Sequence, residues 1–382
     1  MEQNTSSKRV RLRDLGITVG RYPTGPFNAI TDVPGVMVGH STIIEGKGPL
    51  RVGVGPIRTG VTAIMPNGGN IFAERVIGGA FVLNGAGEMS GLIQVLEWGI
   101  IETPILLTNT LSVGTVSAAT NEYFSGKYPG IGNEHDVLIP LVGECDDSFL
   151  NDIAGQHVQA HHVFEALDSA ASGPVAEGAV GGGVGMIAYD LKAGIGTSSR
   201  VLPEEFGGYT LGILVNSNCG RLEDLRVDGI PVGEILGPEF AEKEKRESLA
   251  GSIIVVLATN APVSSRQVTR LCTRVALGIG RTGSFAAHGS GEIIIGFSTV
   301  NTLPRNSNAP HHTVTLLNPR MVDPLYRAAV ECTEEAILNS MCMANTLEGV
   351  NGRIVEALPL ERVAELYRDA RAALYKKSSL VV

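Results

Sequence analysis

Residues 251–260 read Gly-Ser-Ile-Ile-Val-Val-Leu-Ala-Thr-Asn (GSIIVVLATN), a serine standing directly before an unbroken apolar run. A short apolar run of this kind, rich in β-branched residues and bounded by turn residues, is the pattern of a strand buried on both faces. The segment upstream, Glu239 to Ala250 (EFAEKEKRESLA), is charged and helix-prone and reads as an exposed connection. A cut between Gly251 and Ser252 would make Ser252 an N-terminus, carrying a hydroxyl nucleophile beside an α-amine. With a pKa of roughly 7.7–8.0, that amine is close enough to neutrality to act as a base. Left uncut, the same dipeptide is an ordinary turn into a core strand. The rest of the chain decides between the two.

Outward from this run the pattern alternates. Strand 252–259 is followed by a helix over 264–280 and a strand over 291–298, with helices expected at 323–345 and 359–376. Upstream, strands are expected at 59–66, 80–84, 105–107, Val137–Ile139, near Met186–Tyr189 and at 209–216, and helices at Gly91–Trp98 and Asn151–Ala171. Residues 28–40 read as a turn and a short strand. Grouped strands and grouped helices point to α+β layers rather than a doubly wound parallel sheet. Both sides of the charged segment contribute buried strands, so 1–382 is expected to form a single folded unit.

The composition agrees with a globular protein. Of 382 residues, 43% are hydrophobic and 18% charged, with 48 glycines and few aromatics, which suits packed sheets and many turns. The net charge of −9 argues against a nucleic-acid partner. The local basic cluster Lys8, Arg9, Arg11 and Arg13 reads as a solvated arm. Met1–Gly20 has no apolar core of a secretory signal, and no run is long enough to span a membrane. Five cysteines, odd in number and without a CxxC pair, fit reduced thiols and a cytoplasmic location.

Several motifs bear on chemistry. The glycine tract GAVGGGVGM at 178–186 lacks GxxxxGK[ST] and reads as turns between strands. His157, His161 and His162 lack an HExxH setting and a third ligand, so no metal is expected. No GxSxG nucleophile elbow occurs. Ser290 and Glu292 stand two apart at the start of a strand and therefore share a face, where hydroxyl and carboxylate can converge. As a turn with a capping serine the pair would carry no chemistry. Asn218, ending the strand in VNSNCG, is an amide that can donate to a developing oxyanion, or ordinary turn chemistry.

Taken together, the segments 28–40, 59–66, 84–91 (NGAGEMSG), 142–152 (VGECDDSFLND), 215–220, 251–262, 278–284 (GIGRTGS) and 288–299 (HGSGEIIIGFST) resemble the DmpA family of self-processing N-terminal-serine aminopeptidases. That family comprises L-aminopeptidase/D-amino-acid esterase-amidases and β-peptidyl aminopeptidases. The resemblance implies a four-layer αββα sandwich, similar to N-terminal nucleophile hydrolases but differently connected. It implies autocleavage into an α chain, 1–251, and a β chain, 252–382, that stay together, and homotetramers of processed protomers. It implies no cofactor and no metal, with short peptides, amino-acid amides or esters as substrates. Ser252 would be the nucleophile, Ser290 and Glu292 the pair that activates it and orients its amine, Asn218 an oxyanion donor, and Glu144 the partner of the substrate ammonium.

Asp146 stands where relatives often carry Tyr or Asn, and Ser148 where they often carry Gly. An extra carboxylate there would favour cationic N-termini or simply face solvent. Two other functions fit parts of the same pattern. An acyltransferase resembling ornithine acetyltransferase is disfavoured because those enzymes use threonine as nucleophile. A non-catalytic small-molecule-binding protein on the same fold would need no cut at 251/252.

Overall fold

The computed structural model describes residues 8–246 and 251–378, with backbone only for 375–378. Of the charged connection, Glu247, Ser248, Leu249 and Ala250 lie outside the described residues, and 240–246 form turns rather than helix.

Two mixed sheets form the centre. The first runs in the order β1 (Met37–Glu45), β2 (Ile57–Met65), β6 (Ile105–Asn109), β7 (Leu141–Cys145) and β4 (Met89–Ser90). The second runs β10 (Ile195–Val201), β11 (Thr210–Asn218), β12 (Ser252–Thr259), β13 (Gly291–Pro304), β3 (Glu74–Gly85) and β5 (Ile100–Ile101). Short hairpins β8–β9 (Ile187–Ala188, Leu191–Lys192) and β14–β15 (Leu347–Glu348, Ile354–Val355) lie outside them. The β6–β7 and β12–β13 pairs are parallel, and their neighbours in each sheet are antiparallel. The helices are α1 (Leu92–Trp98), α2 (Val113–Lys127), α3 (Ala160–Asp168), α4 (Val232–Glu239), α5 (Ser265–Arg281), α6 (Asp323–Cys342) and α7 (Leu360–Ser378).

Strand alternation sorts the side chains into layers. Ile253, Val255 and Leu257 of β12, with Val215 of β11 and Ile294 of β13, pack under α5 and α6 against Val268, Leu271, Val275 and Ala336. Their neighbours Ile254, Val256 and Ala258, with Leu214 and Ile293, turn the other way and meet Ile64, Leu107 and Leu141 of the first sheet. That sheet's outer residues Val61, Ala63, Leu106 and Val142 lie under α2 and α3, against Val116, Ala119, Val163 and Ala166. The order is helix, sheet, sheet, helix, as the resemblance implies. Each fully buried Val, Leu or Ile contributes about 1.5–3 kcal/mol relative to exposure, so the apolar run of β12 anchors two of the three interfaces.

Several local expectations are corrected. Val137–Ile139 forms no strand; Pro140 has no N–H to give a ladder, and pairing starts after it at Leu141. The helix expected over Asn151–Ala171 shortens to α3, because Asp152 caps a 3₁₀ turn at Ile153–Gly155 and Gln156 turns left-handed at φ 50°. Helix α2 went unread: its glycines, serines and β-branched residues are weak helix formers, and burial of Val116, Ala119 and Phe124 supplies what propensity does not. The N-terminal arginines are clamps rather than a solvated arm. Arg9 donates to the carbonyls of Cys342, Leu358 and Met341 at 2.7, 3.0 and 3.1 Å, while Arg11 and Arg13 pair with Glu177 and Glu335, each at 2.7 Å.

The glycine tract is close packing as well as turn. Gly181–Gly183 form a buried 3₁₀ turn against the first sheet, and a Cβ on Gly182 would lie 2.7 Å from the Leu107 carbonyl oxygen. Gly182→Ala is therefore expected to cost about 1–3 kcal/mol, the range for overpacked interiors, read as a lower urea midpoint. An unchanged midpoint would mean that the strand yields freely there. His157 pairs with Asp152 at 2.8 Å ahead of α3, and among the described residues no group of His, Cys, Asp and Glu is arranged to hold a metal. All five cysteines are buried and free. Among the described residues no helix is long and apolar enough to cross a membrane.

Candidate active site

Three strand ends meet where the apolar run begins. β11 ends at Asn218, paired antiparallel with Ser252, and β13 begins at Gly291, paired parallel with Ser252. With strands about 4.8 Å apart, residues 218, 252 and 291 form one short row. Ser252 is almost fully buried. The Gly251 carbonyl oxygen, which belongs to the peptide bond before Ser252, accepts the Gly291 N–H at 3.0 Å. Glycine is required at both ends of that bond for lack of space. A Cβ on Gly251 would lie 2.5 Å from the Asn218 carbonyl oxygen, and one on Gly291 would lie 2.7 Å from that of Ala86.

Pairing also decides which way each group faces. Ser252 and Asn218 share the face of Ile254 and Leu214, which looks into the gap between the sheets. A cavity of about 440 Å³ opens there, lined by Gly251, Ser252, Thr110, Glu144 and Asp146 among others. Glu144 comes from β7 of the opposite sheet and is buried, with Oε1 accepting the Glu88 N–H at 2.9 Å and Oε2 accepting the Thr110 hydroxyl. Burial pushes its carboxyl above the usual range, and the two hydrogen bonds pull part of the way back. A carboxylate so held, facing a serine across a cavity, suits an ammonium group. Asp146 lines the same cavity yet is exposed, its Oδ1 accepting the Ser148 N–H at 2.8 Å, so it meets both the site and solvent.

Ser290 and Glu292 do converge: the Ser290 hydroxyl donates to Glu292 Oε1, and both residues are buried. They do not share the cavity face with Ser252. Glu292 pairs with Ile253, whose side chain belongs to the helix-facing layer, so the pair sits one strand away, level with Ser252 but on the other side of the sheet. Burial pushes the Glu292 carboxyl up and the Ser290 hydroxyl opposes that shift. Glu292 Oε2 is buried without a hydrogen-bond partner among the described residues. An unpartnered carboxylate oxygen in a dry place is costly unless a cation or donor reaches it.

Asn218 is oriented unambiguously. Its Oδ1 accepts the Ile187 N–H at 2.9 Å and an Arg246 guanidinium N–H at 3.1 Å, and its Nδ2 donates to the Asp146 carbonyl at 2.9 Å. Its donor end thus faces the cavity side of the row, with one proton committed to Asp146. The donor on the Gly251 carbonyl is instead the Gly291 backbone N–H. Nothing in the residue pattern singles that out, since a backbone N–H has no signature beyond the glycine that makes room for it. Thr110 was also missed; it lies far from Glu144 in sequence and reaches it only because β6 and β7 are adjacent.

A model described as peptidase family S58 matches residues 28–355. Beta-peptidyl aminopeptidase BapA of Sphingosinicella microcystinivorans is 41% identical over 383 residues, covering 96% of this chain and 95% of that one. A beta-aminopeptidase of Burkholderia sp. superposes with a TM-score of 0.88 at 43% identity, covering 94% of this chain and 99% of the other. An L-aminopeptidase D-Ala-esterase/amidase from Ochrobactrum anthropi, described as a variant of the Ntn hydrolase fold, superposes at 0.86 with 39% identity, covering 94% and 98%.

Proposed function

Because the chain belongs to peptidase family S58 and is an aminopeptidase, we propose that it matures by cutting itself between Gly251 and Ser252 and then removes N-terminal residues from short peptides, amino-acid amides or esters. The observation that carries the proposal is the row 218–252–291, with the Gly251 carbonyl held by the Gly291 N–H and Ser252 facing a cavity opposite the buried Glu144.

In the first step Ser252 Oγ attacks the Gly251 carbonyl carbon. The Oγ–C bond forms, the C–N bond to Ser252 breaks, and the hydroxyl proton passes to the departing nitrogen. Water then hydrolyses the ester, releasing 1–251 with a carboxylate and 252–382 with a free α-amine. In turnover the same hydroxyl attacks the substrate carbonyl while the α-amine takes its proton. The scissile C–N or C–O bond breaks, the leaving amine or alcohol departs with that proton, and water hydrolyses the acyl-enzyme to restore the Ser252 hydroxyl. The Gly291 N–H and the free Asn218 proton would stabilise the oxyanion, and losing one such donor typically costs about 10²–10³ in rate. Once freed, the amine is no longer fixed in a peptide plane, and the unpartnered Glu292 oxygen, one strand away, is where its charged form would be held. Glu144 would pair with the substrate ammonium, and Asp146 would add negative charge at the cavity mouth.

The relatives support β-amino-acid substrates in particular. A homotetramer of αβ protomers is what the family resemblance implies, and the exposed apolar residues Ile93, Leu96 and Trp98 of α1 offer it a surface. The buried free thiols support a cytoplasmic setting. Denaturing gels with N-terminal sequencing test the maturation: two bands are expected, the smaller starting Ser-Ile-Ile-Val-Val. An intact chain with full turnover would refute it. A panel of L-, D- and β-amino-acid p-nitroanilides tests the substrate class, and failure to release any of them would overturn that part. Sedimentation of the purified protein reads the assembly, and a lone αβ protomer would remove the tetramer.

A further inference from the structure

We propose that Arg246, on the segment upstream of the junction, is a positioning residue for cleavage at Gly251–Ser252. It fixes the Asn218 amide and ties the upstream end of the junction to the strand end that also holds the downstream end. The inference rests on the self-processing reading above. Arg246 read in sequence as one charge in a solvated run. Folded, its guanidinium donates from Nη1 to Asn218 Oδ1 at 3.1 Å and from Nη2 to the Ile187 carbonyl at 3.0 Å. Its own carbonyl accepts an Arg221 guanidinium N–H at 2.8 Å, and Arg221 is paired with Asp190 at 3.0 Å. The segment is therefore fastened by side chain and main chain at residue 246, while Gly251 is pressed against the Asn218 carbonyl and hydrogen-bonded to Gly291. Residues 246 and 251 are thus each held beside the end of β11.

The contact also does something chemical. An amide has one acceptor end and one donor end, and two donors converging on Oδ1 forbid the flipped rotamer. Arg246 and the Ile187 N–H together keep Asn218 Nδ2 turned toward the Asp146 carbonyl and the row containing Ser252. Burial pulls the Arg246 guanidinium below its usual range, and the charges of Asp190 and Asp146 offset part of that. The planar fork presents Nη1 and Nη2 to the Asn218 and Ile187 oxygens in one fixed geometry, which a rotating ammonium on a different stem reproduces less well.

The test is a time course of chain cleavage after expression or refolding, with wild type, Arg246→Ala and Arg246→Lys side by side. Hydrogen bonds to a charged group correspond to about 10- to 100-fold in rate, so Arg246→Ala is expected to slow the appearance of the two fragments by that factor. Arg246→Lys should be intermediate, and millimolar guanidinium should restore part of the rate to Arg246→Ala, which a defect in folding would not show. Cleavage of Arg246→Ala at the wild-type rate overturns the proposal. So does slow cleavage that neither lysine nor guanidinium improves. A wild-type chain that never cuts overturns the self-processing reading instead.

Discussion

The Ser252→Ala chain is expected to run as a single 382-residue band and to release no p-nitroaniline from amino-acid p-nitroanilides. Two functions fail together because one hydroxyl serves both. Without Oγ no ester can form at Gly251, and without the cut no α-amine exists to take a proton during turnover. Loss of a nucleophile that acts as a unit with its base typically costs about 10⁴-fold or more in kcat. The variant should fold, since the hydroxyl contributes little to a strand anchored by Ile253, Ile254, Val255 and Val256. Fragments of normal size, or turnover near the wild-type rate, would remove Ser252 from both roles.

Glu144→Gln is expected to cut normally but to lose about 10- to 100-fold in kcat/KM, the range for a hydrogen bond made to a charged partner. The loss should fall mainly on KM. Glutamine keeps the shape and the seat, with Oε1 on the Glu88 N–H and Nε2 donating to the Thr110 hydroxyl, so what it removes is the charge. The pH dependence follows in sign. Burial, opposed by its two hydrogen bonds, holds the Glu144 carboxyl above the usual carboxylate range. Only its charged form can pair with an ammonium, so KM should rise as pH falls through that raised value. In Glu144→Gln this acid limb should flatten. A limb of unchanged shape in the variant would assign it to another group, with Glu292, also pushed up by burial, the first to examine.

Much of the fold was legible along the chain. The strand read at 252–259 is β12 as observed, and the helix read at 264–280 is α5 displaced by one residue. Both are strongly patterned, one by an unbroken β-branched run, the other by an amphipathic stripe with a Ser264–Gln267 capping box. Helix α2 was not legible because its residues are weak formers and its helicity comes from the sheet beneath it. The site divides in the same way. Ser252, Asn218, Ser290, Glu292 and Glu144 were all named from the residues or the resemblance; the first four lie at the ends of β11, β12 and β13, and Glu144 faces Ser252 across the cavity from β7. The Gly291 N–H, the Thr110 hydroxyl and the Arg246 guanidinium were not, because none differs in sequence from an ordinary backbone, turn or surface group.

By itself the sequence determined that a buried strand begins at Ser252, and that Ser290 and Glu292 fall on one common face of the next. These follow from local periodicity, which side-chain geometry imposes at two residues per repeat. The tertiary structure decided which face that is, and it set the Ser290–Glu292 pair on the side of the sheet away from the cavity that Ser252 and Glu144 line. That choice depends on the register between β11, β12 and β13 and on the first sheet, packed across the gap. Register is set by hydrogen bonds and apolar burial between segments distant in the chain, and a slip of one residue would turn every side chain over.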